Sequence, residues 1–236
     1  MTHYNLCDHI YISHYREDLI LLDTKSDAYT ICSPEFSDLL LGLIEGTTVA
    51  QDIDIQNLLD DQIIEKKETV YPFYIDQKIN THGVSDIDWK LPLETKETKK
   101  VNLNTSVLKA FLTLIQVNFH IKMRGFYAAI QSIKKTQKSH LIYTIPSDEE
   151  LRDLANILNK ACLIYPVRIK CLEWAMTFVL LALRRRWKCN LEIGVQNYPF
   201  LAHAWVECNG NVVMDSQDLR SGLAIILNEP FRRLKI

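Results

Sequence analysis

Residues 171–216 read CLEWAMTFVLLALRRRWKCNLEIGVQNYPFLAHAWVECNGNVVMDS, and the pattern changes from helix to strand within this stretch. The first part is apolar up to the basic cluster RRRWK, which predicts a buried helix that starts at Cys171. The segment CNLEIGVQ at 189–196 has the character of a strand. Two further alternating runs flank Asn209-Gly210, a strong signal for a β-hairpin. The stretch therefore predicts a helix followed by antiparallel strands.

Three residues of this stretch carry the groups of a nucleophilic site: Cys171, His203 and Asp215. Cys171 is expected in the first turn of its helix, where unpaired backbone N–H groups and the helix dipole lower a thiol pKa and could bind an acyl oxyanion. His203 on the later strand would be the base and Asp215 the acid that orients it. Such residues coincide in many unrelated chains, so a packing role for Cys171 stays open at this point.

The loop of the hairpin decides whether the base and the acid meet. A two-residue loop at 209–210 would place Asp215 opposite Ala204, on the face away from His203. A three-residue loop at 208–210, with glycine in the left-handed position, would place Asp215 opposite His203. We predict the three-residue loop, in which Cβ atoms about 5 Å apart let the carboxylate orient the imidazole.

The N-terminal part of the chain has a different pattern. Residues 10–32 contain three β-rich runs, IYISHY, LILLD and AYTIC, which predict three antiparallel strands. SPEFSDLLLGLIEG at 33–46 predicts a helix with a serine N-cap and a glycine stop. Two short helices are expected at about 47–53 and 55–65, and one or two last strands at 71–75. This order of elements is winged-helix-like.

The charge of this part argues against DNA as its ligand. Residues 1–85 hold 5 basic and 15 acidic residues, a net charge of −10, whereas the remaining 151 residues hold 22 and 14, a net charge of +8. The helix IQNLLDDQIIE, with three acids and no base, would be repelled by phosphates. An extended peptide added to a strand edge fits better, with a scaffold domain that binds nothing as the alternative. The candidate peptide-binding residues are Tyr29, Thr30, Ile31 and Cys32 on the predicted edge strand, and Leu58, Leu59 and Gln62 on the helix face.

Composition limits the remaining possibilities. The 236 residues are 47% hydrophobic, enough for one large or two small domains. Charges precede any apolar run long enough for a signal peptide, and the longest strongly apolar run, at 174–183, is well below the roughly 20 residues of a membrane span, so a cytoplasmic protein without a membrane partner is expected. Six cysteines without a C-x-x-C pair predict reduced thiols and no metal site.

The words HAWVE at 203–207 and VVMDS at 212–216, in the order Cys, helix, strand, His, hairpin, Asp, carry a resemblance to a known family. The stretch 107–225 resembles the transglutaminase-like (papain-like) cysteine proteases, and specifically the B proteins of lasso peptide biosynthesis, the leader peptidases of lasso microcins. The opening HYREDLILLDTKSDAYTI at 14–31 resembles the leader-binding module that these B proteins carry at their N-terminus. The resemblance implies that Cys171, His203 and Asp215 are the nucleophile, the base and the orienting acid.

The predicted organisation follows from both lines of reasoning. We predict an α+β chain with a winged-helix-like leader-peptide recognition domain at 1–85, a polar linker at 86–105 and a transglutaminase-like cysteine protease domain at 106–236. Within the last segment, helices are expected at SVLKAFLTLIQVNFHIKM, at RGFYAAIQSIKK and after the capping-box sequence SDEE at 147–150.

The implied reaction is hydrolysis of the leader–core bond of a ribosomally made precursor (RiPP), before a separate cyclase closes the macrolactam. The implied partners are the precursor's leader and that cyclase, which resembles asparagine synthetase. The cyclase uses ATP, whereas this chain lacks G-x-x-x-x-G-K-[ST], so we expect no intrinsic cofactor and leave open an ATP dependence through the partner. Two alternatives remain: a transglutaminase-like acyl transferase, and a non-catalytic protein that binds and delivers the leader.

Overall fold

Helices and strands occur in separate blocks along the chain, which confirms the α+β class. The computed structural model describes residues 3–47, 52–85, 89–92 and 104–235. The helices are α1 (Pro34–Glu45), α2 (Asp52–Asp60), α3 (Thr105–Phe119), α4 (Gly125–Thr136), α5 (Asp148–Ile164), α6 (Cys171–Arg184) and α7 (Asp218–Gly222), and a π-helical turn (His120–Arg124) joins α3 to α4. The strands are β1 (His3–Leu6), β2 (Ile10–Tyr15), β3 (Asp18–Asp23), β4 (Ala28–Ile31), β5 (Ile64–Lys67), β6 (Gln77–Lys78), β7 (Cys189–Gln196), β8 (Leu201–Cys208), β9 (Asn211–Val213) and β10 (Ala224–Glu229).

The first sheet has the strand order β4-β3-β2-β6. Strands β2, β3 and β4 are antiparallel, as predicted, and β6 adds a short parallel pairing to β2. Strand β1, which the sequence pattern did not predict, pairs with β5 in a separate two-stranded sheet. Strand β4 is therefore an edge of its sheet among the described residues.

The helices of this part follow the capping signals only in part. Helix α1 is confirmed: the Ser33 side chain accepts a hydrogen bond from the Phe36 N–H (3.3 Å), and Gly46 ends the helix with a φ of 72°. The predicted helix at 55–65 is wrong at its C-terminal end, because Gln62 adopts a left-handed φ of 55° and the chain continues as β5. The predicted start of a helix at 47–53 lies mostly outside the described residues.

The strands predicted at 71–75 are also wrong. Within this segment Phe73 forms only an isolated bridge, with Leu234 near the C-terminus. Tyr71 and Ile75 are instead buried in the core between the first sheet and α1. Their alternating pattern reflects packing of an extended segment that has no neighbouring strand long enough to form a ladder.

The second sheet has the antiparallel order β10-β7-β8-β9 and carries α6 on one face. Helix α6 is buried along nearly its whole length, because residues 174–183 are all buried. The capping box of α5 is confirmed: the Ser147 hydroxyl accepts from the Glu150 N–H and the Glu150 carboxylate accepts from the Ser147 N–H. Among the described residues, none of the helices combines the length and the apolar character needed to cross a bilayer.

The two parts of the chain share a hydrophobic core. Alternate residues of the first sheet point to opposite sides: Ile12 and Leu21 pack toward α1, whereas Tyr11 and Ile20 pack into the same core as α6 and β7. The buried Tyr11 hydroxyl donates a hydrogen bond to Glu229 on β10 (2.9 Å). The first sheet is therefore sandwiched between its own helices and the second part.

The predicted linker contributes to this contact where it is described. Of residues 86–105, the structure describes 89–92 and 104–105, and Trp89 and Leu91 pack against the shared core. Asp76 accepts a hydrogen bond from the backbone N–H of Ile225 (2.8 Å) and adds a polar link between the two parts. The division of the chain into domains at residues 85 and 106 remains a prediction. In the structure, the described residues of the two predicted domains pack directly against each other.

Candidate active site

Cys171 is the first residue of α6, as predicted. Lys170 is the N-cap, and its backbone N–H donates to the Glu173 carboxylate three residues later (3.2 Å). The Cys171 side chain is half-buried and packs against the shared core. The thiol therefore stands in the first turn of a rigid helix, where backbone N–H groups have no partners within the helix.

His203 lies on β8 and is 3% exposed. Its Nε2 is 2.8 Å from an Asp215 carboxylate oxygen, and the other oxygen of Asp215 accepts from the Ser216 N–H (2.8 Å). His203 also shares a hydrogen bond with the Cys171 thiol. The structure thus brings all three predicted residues together.

The predicted hairpin register, however, is wrong. The pairs Val206–Val213 and Cys208–Asn211 define a two-residue loop, and both of its residues, Asn209 and Gly210, have positive φ values of 51° and 87°. Asn-Gly adopts this tight turn readily because both residues tolerate the left-handed conformation.

Asp215 reaches His203 by another route. Strand β9 ends at Val213, and the next residue, Met214, has a left-handed φ of 58° that turns the chain out of the ladder. A continued ladder would place Asp215 opposite Ala204, on the other face. The turn at Met214 frees Asp215 from the alternation of the strand, so its carboxylate meets the imidazole despite the register.

The electrostatics favour a charged pair. Burial alone would raise the pKa of the Cys171 thiol, but hydrogen bonds from His203 and from the backbone N–H groups of Ala204 and Leu172 lower it below its ordinary value. Burial alone would lower the pKa of His203, but its bonds to Asp215 and Cys171 raise it to about 9. Both shifts favour a thiolate beside an imidazolium near neutral pH.

Sequence reasoning missed two residues that hold the histidine in place. The Trp205 ring stacks near the His203 ring, with centroids 6.3 Å apart. Gly194 lies opposite His203 on β7, and a Cβ there would be 2.5 Å from the Trp205 ring. The words EIGVQ and HAWVE contain both residues, but only the pairing of β7 with β8 shows that the glycine makes room for the indole.

The candidate peptide-binding residues lie in different environments. Tyr29, Thr30 and Ile31 are on the edge strand β4, and Ile31 is 45% exposed. Cys32 follows the strand and is largely buried, with its N–H donating to the Leu19 carbonyl (2.9 Å). Their role in binding stays a prediction.

The helix face is less open than the pattern implied. Leu58 is 4% exposed and belongs to the core of the first part, so its side chain does not face solvent. Leu59 is half-buried, and Gln62 is exposed and accepts a hydrogen bond from the Lys25 ammonium (2.9 Å). Leu59 is therefore the predicted residue of the helix that remains partly accessible. Gln62 lies beyond the end of α2, in the turn to β5, so its predicted place on the helix face is wrong.

Comparison with known proteins agrees with the fold. The model of the transglutaminase-like superfamily matches residues 113–228, which contain α6, β7, β8 and β9. The Microcin J25-processing protein McjB of Escherichia coli is 24% identical over 220 residues, which cover 91% of this chain and 96% of that protein. No solved structure matches the chain. The chain is thus a homologue of this microcin-processing protein, and its residues 113–228 form a transglutaminase-like domain.

Proposed function

We propose that this chain is a cysteine peptidase that removes the leader from a lasso precursor peptide. Its first part would bind the leader, and Cys171, His203 and Asp215 would hydrolyse the leader–core bond. The observation that carries the proposal is the arrangement around His203, which bonds through Nε2 to Asp215 at 2.8 Å and also shares a hydrogen bond with Cys171. This is the geometry of a nucleophile, a base and an orienting acid.

The reaction would proceed through a thioester. The Cys171 thiolate attacks the scissile carbonyl carbon, and the oxyanion forms near the backbone N–H groups at the start of α6. His203 gives its proton to the amide nitrogen, the C–N bond breaks, and the core leaves with a free amine. Water then attacks the thioester, His203 accepts a proton from it, and the leader leaves as a carboxylic acid. Asp215 keeps the imidazole oriented through both steps.

The similarity to the relative supports the substrate class. That protein's name describes it as processing microcin J25, and the similarity spans 91% of the present chain, including the acidic first part. Binding the leader on the first part would raise the local concentration of the scissile bond at Cys171. The proposed partners are the precursor peptide and a separate lasso cyclase, with any need for ATP arising from that cyclase.

Mass spectrometry of a candidate lasso precursor peptide from the same genome tests the proposal. The peptide is incubated with the wild type, with Cys171→Ala and with Cys7→Ala, each with and without the cyclase and ATP. Cys7 is a matched control because it is also a half-exposed free thiol. We expect cleavage by the wild type and Cys7→Ala and none by Cys171→Ala.

The products separate the proposed reaction from its alternatives. Two fragments whose masses add up to the precursor plus one water indicate hydrolysis, whereas a product in which the leader is joined to an amine indicates acyl transfer. If the precursor binds the chain but stays intact under every condition, the peptidase hypothesis is wrong and the chain is a delivery protein.

A further inference from the structure

The two parts of the chain meet beside the candidate active site in an aromatic contact. The rings of Tyr29 on β4 and Phe200 have centroids 5.3 Å apart and are tilted by 58°. Phe200 immediately precedes β8 and lies three residues before His203. The contact therefore joins the predicted leader-binding strand to the strand that carries the base.

The segment around Phe200 is fastened to the first part. The Asn197 side chain donates a hydrogen bond to Asp18 (2.8 Å). The Gln196 amide accepts from the Val84 N–H (2.7 Å) and donates to the Val84 carbonyl (2.9 Å). These contacts fix Phe200 relative to β4, so the aromatic pair has a defined geometry.

The Tyr29 side chain lies on the face of the first sheet that packs against the second part. Tyr29 pairs with Leu22 on β3, and its ring, like the Cys171 side chain, packs against the shared core. Burial is the main cause that raises the pKa of the Tyr29 phenol, and the charges of Asp27 and Cys171 add to it. The phenol and the thiolate are therefore close enough to interact electrostatically.

The backbone of Tyr29 faces the open edge of the sheet. The Cys32 N–H donates to the Leu19 carbonyl, which makes this a hydrogen-bonded pair of the β3–β4 ladder. Because such pairs alternate along an antiparallel ladder, the N–H and C=O groups of Tyr29 and Ile31 point away from β3. No described strand lies on that side of β4. A peptide paired with this edge would have its backbone beside Tyr29, next to the Tyr29–Phe200 contact.

We propose that Tyr29 and Phe200 form an aromatic subsite that binds an apolar side chain of the substrate on the leader side of the scissile bond. Tyr29 is then both a residue of the leader-binding edge and a wall of this subsite. Phe200 is 45% exposed and offers the open face of the subsite. The inference rests on the proposed function, because it assumes that a leader paired with β4 continues toward Cys171.

The subsite should act on specificity. A well-formed apolar pocket discriminates between side chains by about 10- to 200-fold in kcat/KM. One of the four substrate residues before the scissile bond should occupy the subsite. Replacing that substrate residue by aspartate should therefore reduce the kcat/KM of the wild-type enzyme at least 10-fold. Removing the ring of Tyr29 or of Phe200 should reduce this discrimination, because the substrate side chain then loses its contact with that ring.

The experiment uses the precursor peptide described above and its single alanine and aspartate variants at those four positions. The full chain is compared with Tyr29→Ala, Tyr29→Phe, Phe200→Ala and, as a control, Tyr74→Ala, whose side chain is 53% exposed elsewhere on the first part. We expect Tyr29→Ala and Phe200→Ala to discriminate less than 3-fold at the sensitive position. Tyr29→Phe, which keeps the ring, and Tyr74→Ala should discriminate like the wild type.

Protection of Cys171 from iodoacetamide provides a readout that needs no cleavage. If the wild type leaves the precursor intact, the peptidase proposal fails. The subsite is still supported if the parent peptide protects Cys171 from alkylation more than its aspartate variant does, and if Phe200→Ala abolishes this difference. If Tyr29→Ala does not fold, as judged by its melting curve, Phe200→Ala carries the test. The subsite is overturned if no position is sensitive, or if both variants keep the full discrimination in kcat/KM and in protection.

Discussion

Replacing Asp215 by asparagine tests the role of the carboxylate with little change in size. The carboxylate lies 2.8 Å from His203 Nε2, and the histidine is 3% exposed, so water has little room to replace the lost partner. The amide can present an NH₂ group to Nε2 and thereby favour the wrong tautomer of the imidazole. We therefore expect the variant to fold normally and to lose activity.

The size of the loss follows from the pKa of His203. Its rise from 6.5 to about 9 corresponds to roughly 3 kcal/mol in favour of the imidazolium. Asp215 and Cys171 both contribute, so we assign about 1–2 kcal/mol to Asp215, which lowers the population of the charged pair roughly 10-fold. Loss of the correct tautomer adds to this effect, and the total should be about 10²- to 10⁴-fold in kcat.

The assay measures kcat and KM on the precursor peptide across pH, with alkylation of Cys171 as a parallel readout. In the wild type, activity should rise with pH as Cys171 ionises, through a pKa below the ordinary thiol value, and fall again near pH 9 as His203 loses its proton. In Asp215→Asn the upper limb should move to lower pH. Asp218→Asn, a nearby acid on α7, is the matched control and should leave both limbs unchanged.

Three results would argue against this reasoning. The first is a kcat for Asp215→Asn within 3-fold of the wild type, with the upper limb of the profile unmoved. The second is an equal loss in Asp218→Asn, which would point to a general effect on the segment after β9. A change confined to KM would also argue against an orienting role for Asp215, because orientation acts in the chemical steps.

Three further predictions concern the thiols and the fold. Iodoacetamide at neutral pH should modify Cys171 well before Cys162, whose pKa burial raises to about 12, and equal labelling in peptide mapping would contradict this. Burial and a neighbouring carboxylate raise the pKa of Glu192 to about 8, so folding favours its protonated form. Wild-type stability should then decrease between about pH 5 and pH 8, and melting curves of Glu192→Gln should show a smaller decrease; parallel curves would exclude this contribution of Glu192. Gly194→Ala places a Cβ 2.5 Å from Trp205 and should lower the free energy of unfolding by about 1–3 kcal/mol in urea titrations, whereas an unchanged midpoint would show that the indole moves aside.

Local signals predicted much of the fold. The Ser33 cap, the Gly46 stop and the capping box at Ser147 all lie where the sequence placed them, because each depends on contacts within four residues along the chain. The start of α6 at Cys171 was predictable for a similar reason: the apolar run begins there and the preceding loop contains Pro166.

Features set by distant parts of the chain were not predictable in the same way. The contact of His203 with Asp215 was anticipated, but for the wrong reason, since it depends on the backbone turn at Met214 and not on a three-residue loop. The burial of Leu58 and the absence of strands at 71–75 depend on how the first part packs. A pattern of apolar residues indicates which side chains are buried, but not which elements bury them.

The shared core also bears on how a bond in the substrate would be selected. Two domains joined by a flexible linker would only raise the local concentration of a bound leader at the protease. Here the first sheet packs directly on the second part, and Asn197 and Gln196 bind Asp18 on β3 and Val84, so the sheet that contains β4 is held beside the strand of His203. The distance from β4 to Cys171 is then a property of the fold. An extended peptide advances about 3.3 Å per residue, whereas attack requires the carbonyl to be placed to within a fraction of an ångström. A leader held on β4 would therefore present only one bond to the thiolate, so the number of residues between the paired segment and the core would determine where the chain cuts.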